Sequence, residues 1–192
     1  MSRTPSILVA VALATVAVPA RSEVVLRPSA HGALHVDGGD LAGGGLGSFA
    51  AGYNLELDPI LVVPELAFTA GGYDGDFRGY GLRALGGLRA GFAYFGTFEP
   101  SLFLRGGYAH MSLEHLREPS SPAIPSVLRE VINSGALQVG ASLEHRVDRD
   151  LPLGGEVAYD ALFVDRLASP EGDRGIDVSH TVSAGFTIAF WL

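Results

Sequence analysis

Beyond residue 31, apolar and polar side chains alternate at every second position, the period of a half-buried strand. The last segment shows it best. Val178, His180, Val182, Ala184, Phe186, Ile188, Phe190 and Leu192 share one face, and Ser179, Thr181, Ser183, Gly185, Thr187 and Trp191 lie on the other. Leu137, Val139, Ala141, Leu143 and Val147 oppose Gln138, Gly140, Ser142, Glu144 and Arg146 in the same way. So do Leu82, Ala84, Leu88, Ala90 and Phe92 against Arg83, Gly87, Arg89 and Gly91. Weaker versions run through residues 32–38, 49–56, 62–69, 101–108 and 153–163, giving eight predicted strands. Most are about ten to thirteen residues long, above the usual ~5–6 and in the range of a tilted membrane-spanning strand, ~9–11.

The links between strands point the same way. Those after strands 2, 4 and 6 read as short (58–60, 93–97, 148–151). Those after strands 1, 3, 5 and 7 read as longer and more polar (39–45, 71–79, 111–134, 165–176). Short turns on one rim and long loops on the other fit an up-and-down membrane barrel. Aromatics gather in two zones: Phe92, Tyr94, Phe95, Phe98, Phe190 and Trp191 near the short turns, and Tyr73, Phe77, Tyr80, Tyr108 and Phe163 near the long ones. Two aromatic girdles around an aliphatic band are expected of a barrel in a bilayer. The predicted fold is all-β, an eight-stranded antiparallel up-and-down transmembrane β-barrel.

Facing follows from the polar side of each strand, which is Gly, Ala, Ser and Thr with sparse charges. Glu56, Glu65, Glu144, Glu156 and Asp160 stand there against Arg83, Arg89, Arg105 and Arg146. A solvated exterior would carry more Lys and Glu, whereas a narrow lumen needs small residues for space and charges that pair across it. Eight strands leave room only for side chains, so these nine residues are expected to form an ion-paired packing and not an open pore.

Residues 1–20 read as an export signal: Arg3, an apolar run from Ile7 to Val18, and the small-residue end Val18-Pro19-Ala20. That run is about twelve residues, short of the ~20 a membrane helix needs. The expected organisation is therefore 1–20 signal, 21–31 a short periplasmic segment and 32–192 the barrel. Composition removes other classes. Thirteen basic against 21 acidic residues disfavours nucleic acid as partner, and the absence of Cys removes thiol catalysis and disulfides.

With that pattern on the page, residues 32–192 resemble the small eight-stranded bacterial outer-membrane barrels of the OmpA/OmpX type. The final strand carries the resemblance: Gly185, Phe186, Ile188, Phe190 and Leu192 are similar to the C-terminal insertion signal of that class, although its members usually end in Phe. The resemblance implies a Gram-negative outer-membrane location and contact with outer-membrane lipid and lipopolysaccharide. It also implies delivery to the barrel-assembly machinery.

Candidate chemistry is sparse. No metal spacing links His31, His35, His110, His115, His145 and His180. His110 and Ser112 share an outward face with Glu114 nearby, a pair similar to that of outer-membrane lipid A deacylases. Residues 126–132 in the longest link could form a helical turn. Gly71 to Asp76 holds a fragment of a calcium loop without its downstream Glu. Three readings stand at this point. The first is a non-enzymatic barrel without cofactor or metal, serving envelope integrity or an extracellular partner through its loops. The others are a lipid-modifying esterase using His110 and Ser112, and a secreted lipocalin-like binder.

Overall fold

The computed structural model describes residues 23–37, 39–57, 59–92, 97–116, 127–148, 151–167 and 174–192. They form β1 (Glu23–Asp37), β2 (Asp40–Leu57), β3 (Ile60–Gly75), β4 (Phe77–Phe92), β5 (Phe98–Leu116), β6 (Val127–Asp148), β7 (Leu151–Leu167), β8 (Arg174–Ile188) and β9 (Phe190–Trp191). After a break at Ala189, β9 continues the line of β8, so the wall has eight staves. Each stave pairs antiparallel with its chain neighbours, and β1 pairs with β2 on one side and with β8 and β9 on the other. Val24 N–H donates to the Leu192 carbonyl at 3.2 Å and Leu192 N–H to the Val24 carbonyl at 2.9 Å, closing the seam. Closure leaves the wall without a free edge across the membrane, a condition for strands that must satisfy their backbone without water.

The alternation resolves as the sequence implies. Leu66, Phe68 and Leu102 are about 60% exposed on the outside, while Glu65, Arg89 and Asp160 are buried within. A soluble lipocalin-like barrel would have the opposite sense. An apolar exterior around a polar interior is a transmembrane β-barrel, the fold expected above.

Several expectations fail in instructive ways. Strands β1 to β8 run 15 to 22 residues, longer than predicted. At about 3.3 Å per residue and about 45° tilt, the longest reaches on the order of 50 Å, against a ~25 Å apolar band. The excess is at the outer end, opposite the chain termini. Residues 39–45 and 71–79, expected as loops, mostly belong to β2, β3 and β4, leaving links of 38–39 and Asp76 alone. Their glycines are needed for strand contact: a Cβ on Gly44 would lie 2.1 Å from the Gly72 carbonyl, and one on Gly71 2.2 Å from that of Gly45. Only Gly39, at φ +101°, serves a turn in the way the composition suggested.

Residues 23–31, placed before the barrel by sequence, are in β1, paired from Glu23↔Asn54 to His31↔Leu46. The helical turn expected at 126–132 is not formed where the chain is described: residues 127–132 extend β6 and pair with β5. Tyr73, Phe77 and Trp191 are not girdle residues, because their parity turns them inward and they are buried. Phe92, Phe98, Phe190, Tyr80, Tyr108 and Phe163 do face outward. The export signal at 1–20, Tyr94 and Phe95 lie outside the described residues.

Candidate functional site: the lumen and its seals

Inward positions of the staves bring together side chains far apart in sequence. Arg89 on β4 is the hub. Its Nε is 3.4 Å from Glu65 Oε2, Nη2 donates to Glu156 Oε2 at 2.8 Å, and Nη1 donates to Ser101 and Ser142 at 3.0 and 2.8 Å. Arg105 shares Glu65, with Nη2 2.7 Å from Oε1, and Nη1 donates to Gln138 Oε1 at 2.7 Å. Gln138 in turn donates to Asp160, whose other oxygen takes Arg83 Nη1 at 2.7 Å. Arg83 Nη2 then reaches Tyr73 Oη and Thr181 Oγ1. At the inner side Arg27 Nε donates to Glu144 Oε1 at 3.0 Å, and Ser142 links Glu144 to the Arg89 cluster.

The Phe103 ring lies between the two central cations, 4.5 Å from the Arg89 guanidinium and 4.2 Å from that of Arg105. Only Gly at 140 accommodates it, since a Cβ there would meet Phe103 Cζ at 2.2 Å. Arg83, Arg89 and Arg105 thus each have a carboxylate and further acceptors around them, the condition under which buried charge is tolerable. Midway, a chamber bordered by His31, Thr69 and Gln138 has about 10 Å³ of free space, room for about one water.

The ends differ from the middle. At the outer end Ala42, Leu46, Tyr73, Phe77, Leu85, Ala109, Met111, Leu113, Ile132, Ala136, Leu162 and Val164 form one buried apolar cluster. His35 lies under it, its ring 5.2 Å from that of Tyr73 and 5.6 Å from that of Phe77, with Nδ1 2.7 Å from Thr181 Oγ1. At the inner end Arg146 donates to Glu99 Oε2 through Nε and Nη2 and sits 4.7 Å over the Trp191 ring. Trp191 packs with Val25, Leu61 and Ala189.

Of the nine charged residues assigned to the lumen by sequence, Glu65, Arg83, Arg89, Arg105, Glu144, Glu156 and Asp160 are in this connected set. Arg146 is in the inner seal. Glu56 is not: it is exposed at the inner end of β2 and makes no ion pair among the described residues. Arg27, Glu99, His31 and His35 were missed, while Gln138 stood on the polar face but outside the charged set; a period-two count continued back through Pro28 would have placed Arg27, His31 and His35 on the inner face. In the last staves Phe186, Ile188, Phe190 and Leu192 form an outward row, Phe186 being 80% exposed. Gly185 faces inward, where a Cβ would lie 2.0 Å from the Ala30 carbonyl.

On the outside, His110 Nδ1 is 2.8 Å from Asn133 Oδ1, while Ser112 is buried and Glu114 exposed. Asp74 and Asp76 are occupied by Arg78 Nε and the Leu41 N–H. Among the described residues no group of three or more potential ligands could hold a metal ion.

Wall, lumen and seals together define an eight-stranded transmembrane barrel of the outer-membrane type with a filled interior. In sequence, no protein-family model matches the chain and no curated protein is significantly similar to it. In structure it is similar to the Neisserial surface protein A, with a TM-score of 0.53 at 17% identity over 88% of this chain and 99% of that one. The attachment invasion locus protein of Yersinia pestis, solved with the heparin analogue sucrose octasulfate, gives 0.53 at 12% identity, covering 89% and 100%. A major outer membrane protein of Thermus thermophilus gives 0.52 at 13%, covering 87% and 99%. At these identities the likeness is one of fold.

Proposed function

We propose that the chain is a non-enzymatic barrel of the bacterial outer membrane, supporting envelope integrity or contact with an external partner through its outer ends. The observation that carries this reading is the lumen. It is filled by the ion-paired set around Arg89 and capped by the apolar cluster around Phe77, so work is left to the outside of the molecule. Outer strand ends beyond the apolar band supply the surface for a partner.

That surface is acidic where it is described, with Asp40, Asp74, Asp76 and Glu114 exposed beside Arg78. Sucrose octasulfate, the polyanion held by the Yersinia protein, is therefore a poor model of the ligand; a basic or neutral partner fits better. Outer-membrane lipid and lipopolysaccharide are the proposed surroundings of the wall. The outward row Phe186, Ile188, Phe190 and Leu192, with Gly185 behind it, is the proposed signal to the barrel-assembly machinery. The burial of Ser112 counts against the esterase reading.

Complementation of a deletion strain tests the proposal. The full chain is expected to restore resistance to detergent or adhesion to a host surface. A variant lacking residues 119–125 should keep the first and lose the second if the outer ends bind a partner. Altered acylation of lipid A that reverts with Ser112→Ala would overturn the non-enzymatic reading.

A further inference from the structure

The outward face of β2 to β5 is not uniformly ridged. A groove of about 540 Å³ crosses it in the outer halves of these strands. Gly47, Ala70 and Ala84 form its floor, where short side chains leave the sheet backbone bare. Phe49, Phe68 and Leu82 form its walls. The register sets this arrangement, placing Gly47 opposite Ala70, Ala70 opposite Leu82, and Phe68 opposite both Phe49 and Ala84.

One margin is polar. Tyr108 Oη donates to Asn133 Oδ1 at 2.6 Å, and His110 Nδ1 donates to the same oxygen at 2.8 Å. The Tyr80 ring lies 6.1 Å from that of His110. The Oδ1 of Asn133 is thereby filled by two donors, and His110 presents Nε2 as the ring atom outside this arrangement.

We propose that this groove is a binding site for one acyl chain of an outer-leaflet lipid, with the ester and headgroup region against Tyr108 and His110. The inference rests on the membrane reading and makes it specific. Its occupant follows from continuity, because Leu66 is the next outward residue after Phe68 on β3, and Leu88 and Leu104, paired across β4 and β5, continue the exposed apolar belt below it. What covers that belt is hydrocarbon. A slot floored by Gly and Ala and walled by Phe and Leu gives an unbranched chain contacts on three sides, where an ordinary stretch of wall gives one. The polar margin sits toward the outer end, where Tyr and His side chains match the headgroup boundary.

The test is native mass spectrometry of the folded full chain, released from detergent in the presence of dipalmitoyl phosphatidylethanolamine. Gly47→Leu and Ala70→Phe fill the groove, and Gly155→Leu on β7 adds the same bulk to the opposite wall. A Cβ at Gly47 or Gly155 meets nothing closer than 3.9 and 3.8 Å, so the backbone accepts both. The expected result is one retained lipid on the wild type and on Gly155→Leu, and about tenfold weaker retention on each groove variant. Equal retention by all four, or equal loss in Gly155→Leu, overturns the site. If the unaltered chain does not insert into vesicles of the same lipid, the membrane reading itself fails. Insertion with unchanged retention refutes the groove alone.

Discussion

From Arg27 up to Arg83 the interior is a hydrogen-bonded run of guanidiniums and carboxylates. Beyond Tyr73 it becomes hydrocarbon, from Leu46 and Phe77 to Met111 and Leu162. The exterior changes in the opposite direction. Around the charged half it carries Leu, Val and Phe; around the apolar half Asp74, Arg78 and Glu114 are exposed as well, beside Leu41, Tyr80, Val131 and Phe163. The inversion marks where the chain passes from one solvent to another. In hydrocarbon, the wall turns its apolar side out and must neutralise what it turns in. Beyond the bilayer, the same strands fold as a soluble β-structure does, apolar side in. One chain thus follows two packing rules, and the change of rule limits the membrane band more tightly than strand length can.

The largest expected effect is on the charged half. Arg89→Ala takes the guanidinium from Glu156 and leaves Glu65 to Arg105 alone, at a cost of about 3–5 kcal/mol. Urea titration of the vesicle-inserted barrel, followed by tryptophan emission from Trp191, would measure it. A loss under 1 kcal/mol would mean that the lumen is wetter than its geometry implies. In the apolar half, Leu113→Ala should cost about 2–5 kcal/mol by leaving a cavity. That cost should add to a change in the lumen at Arg27, since the two sites share no partner; strong coupling would remove the distinction between the halves. On the exterior, Leu143→Arg faces lipid and should cost about 2–4 kcal/mol near the midplane. Smallest of all is Arg78→Ala. Its pair with Asp74 is solvent-exposed at both ends, so the change should fall within about 0.5 kcal/mol.

Facing was legible in the sequence because a period of two cannot be mistaken once one side must meet lipid. Leu82 against Arg83, and Leu143 against Glu144, need no further information. Eight of the nine charged residues assigned to the interior were legible for the same reason; Glu56 has the right parity but lies past the end of the packed interior, and Arg27 and Glu99 were missed. Strand ends were not legible. Pro28 hid the first half of β1, and with it Arg27 and His31, because a proline inside a run reads as an interruption. Glycines at 43–45 and 71–72 read as loop, yet they lie in β2 and β3, and Gly44 and Gly71 are there for the close approach of the two strands, a tertiary fact with no local signature. The apolar outer seal was missed because Tyr73 and Phe77 were read by residue type as girdle, when their position in the alternation placed them inside. Pairing of Arg27 with Glu144, 117 residues apart, depends on the stagger of the closed barrel, which no single strand encodes.

The central claim is a closed barrel, polar within and apolar without, seated in the outer membrane. Gel mobility of the protein from fractionated cells, boiled against unboiled, tests it most directly. The account predicts recovery in the outer-membrane fraction and a band that shifts on boiling, because an ion-paired, closed wall resists detergent until heated. Quantitative recovery from the soluble periplasm with no shift would contradict it.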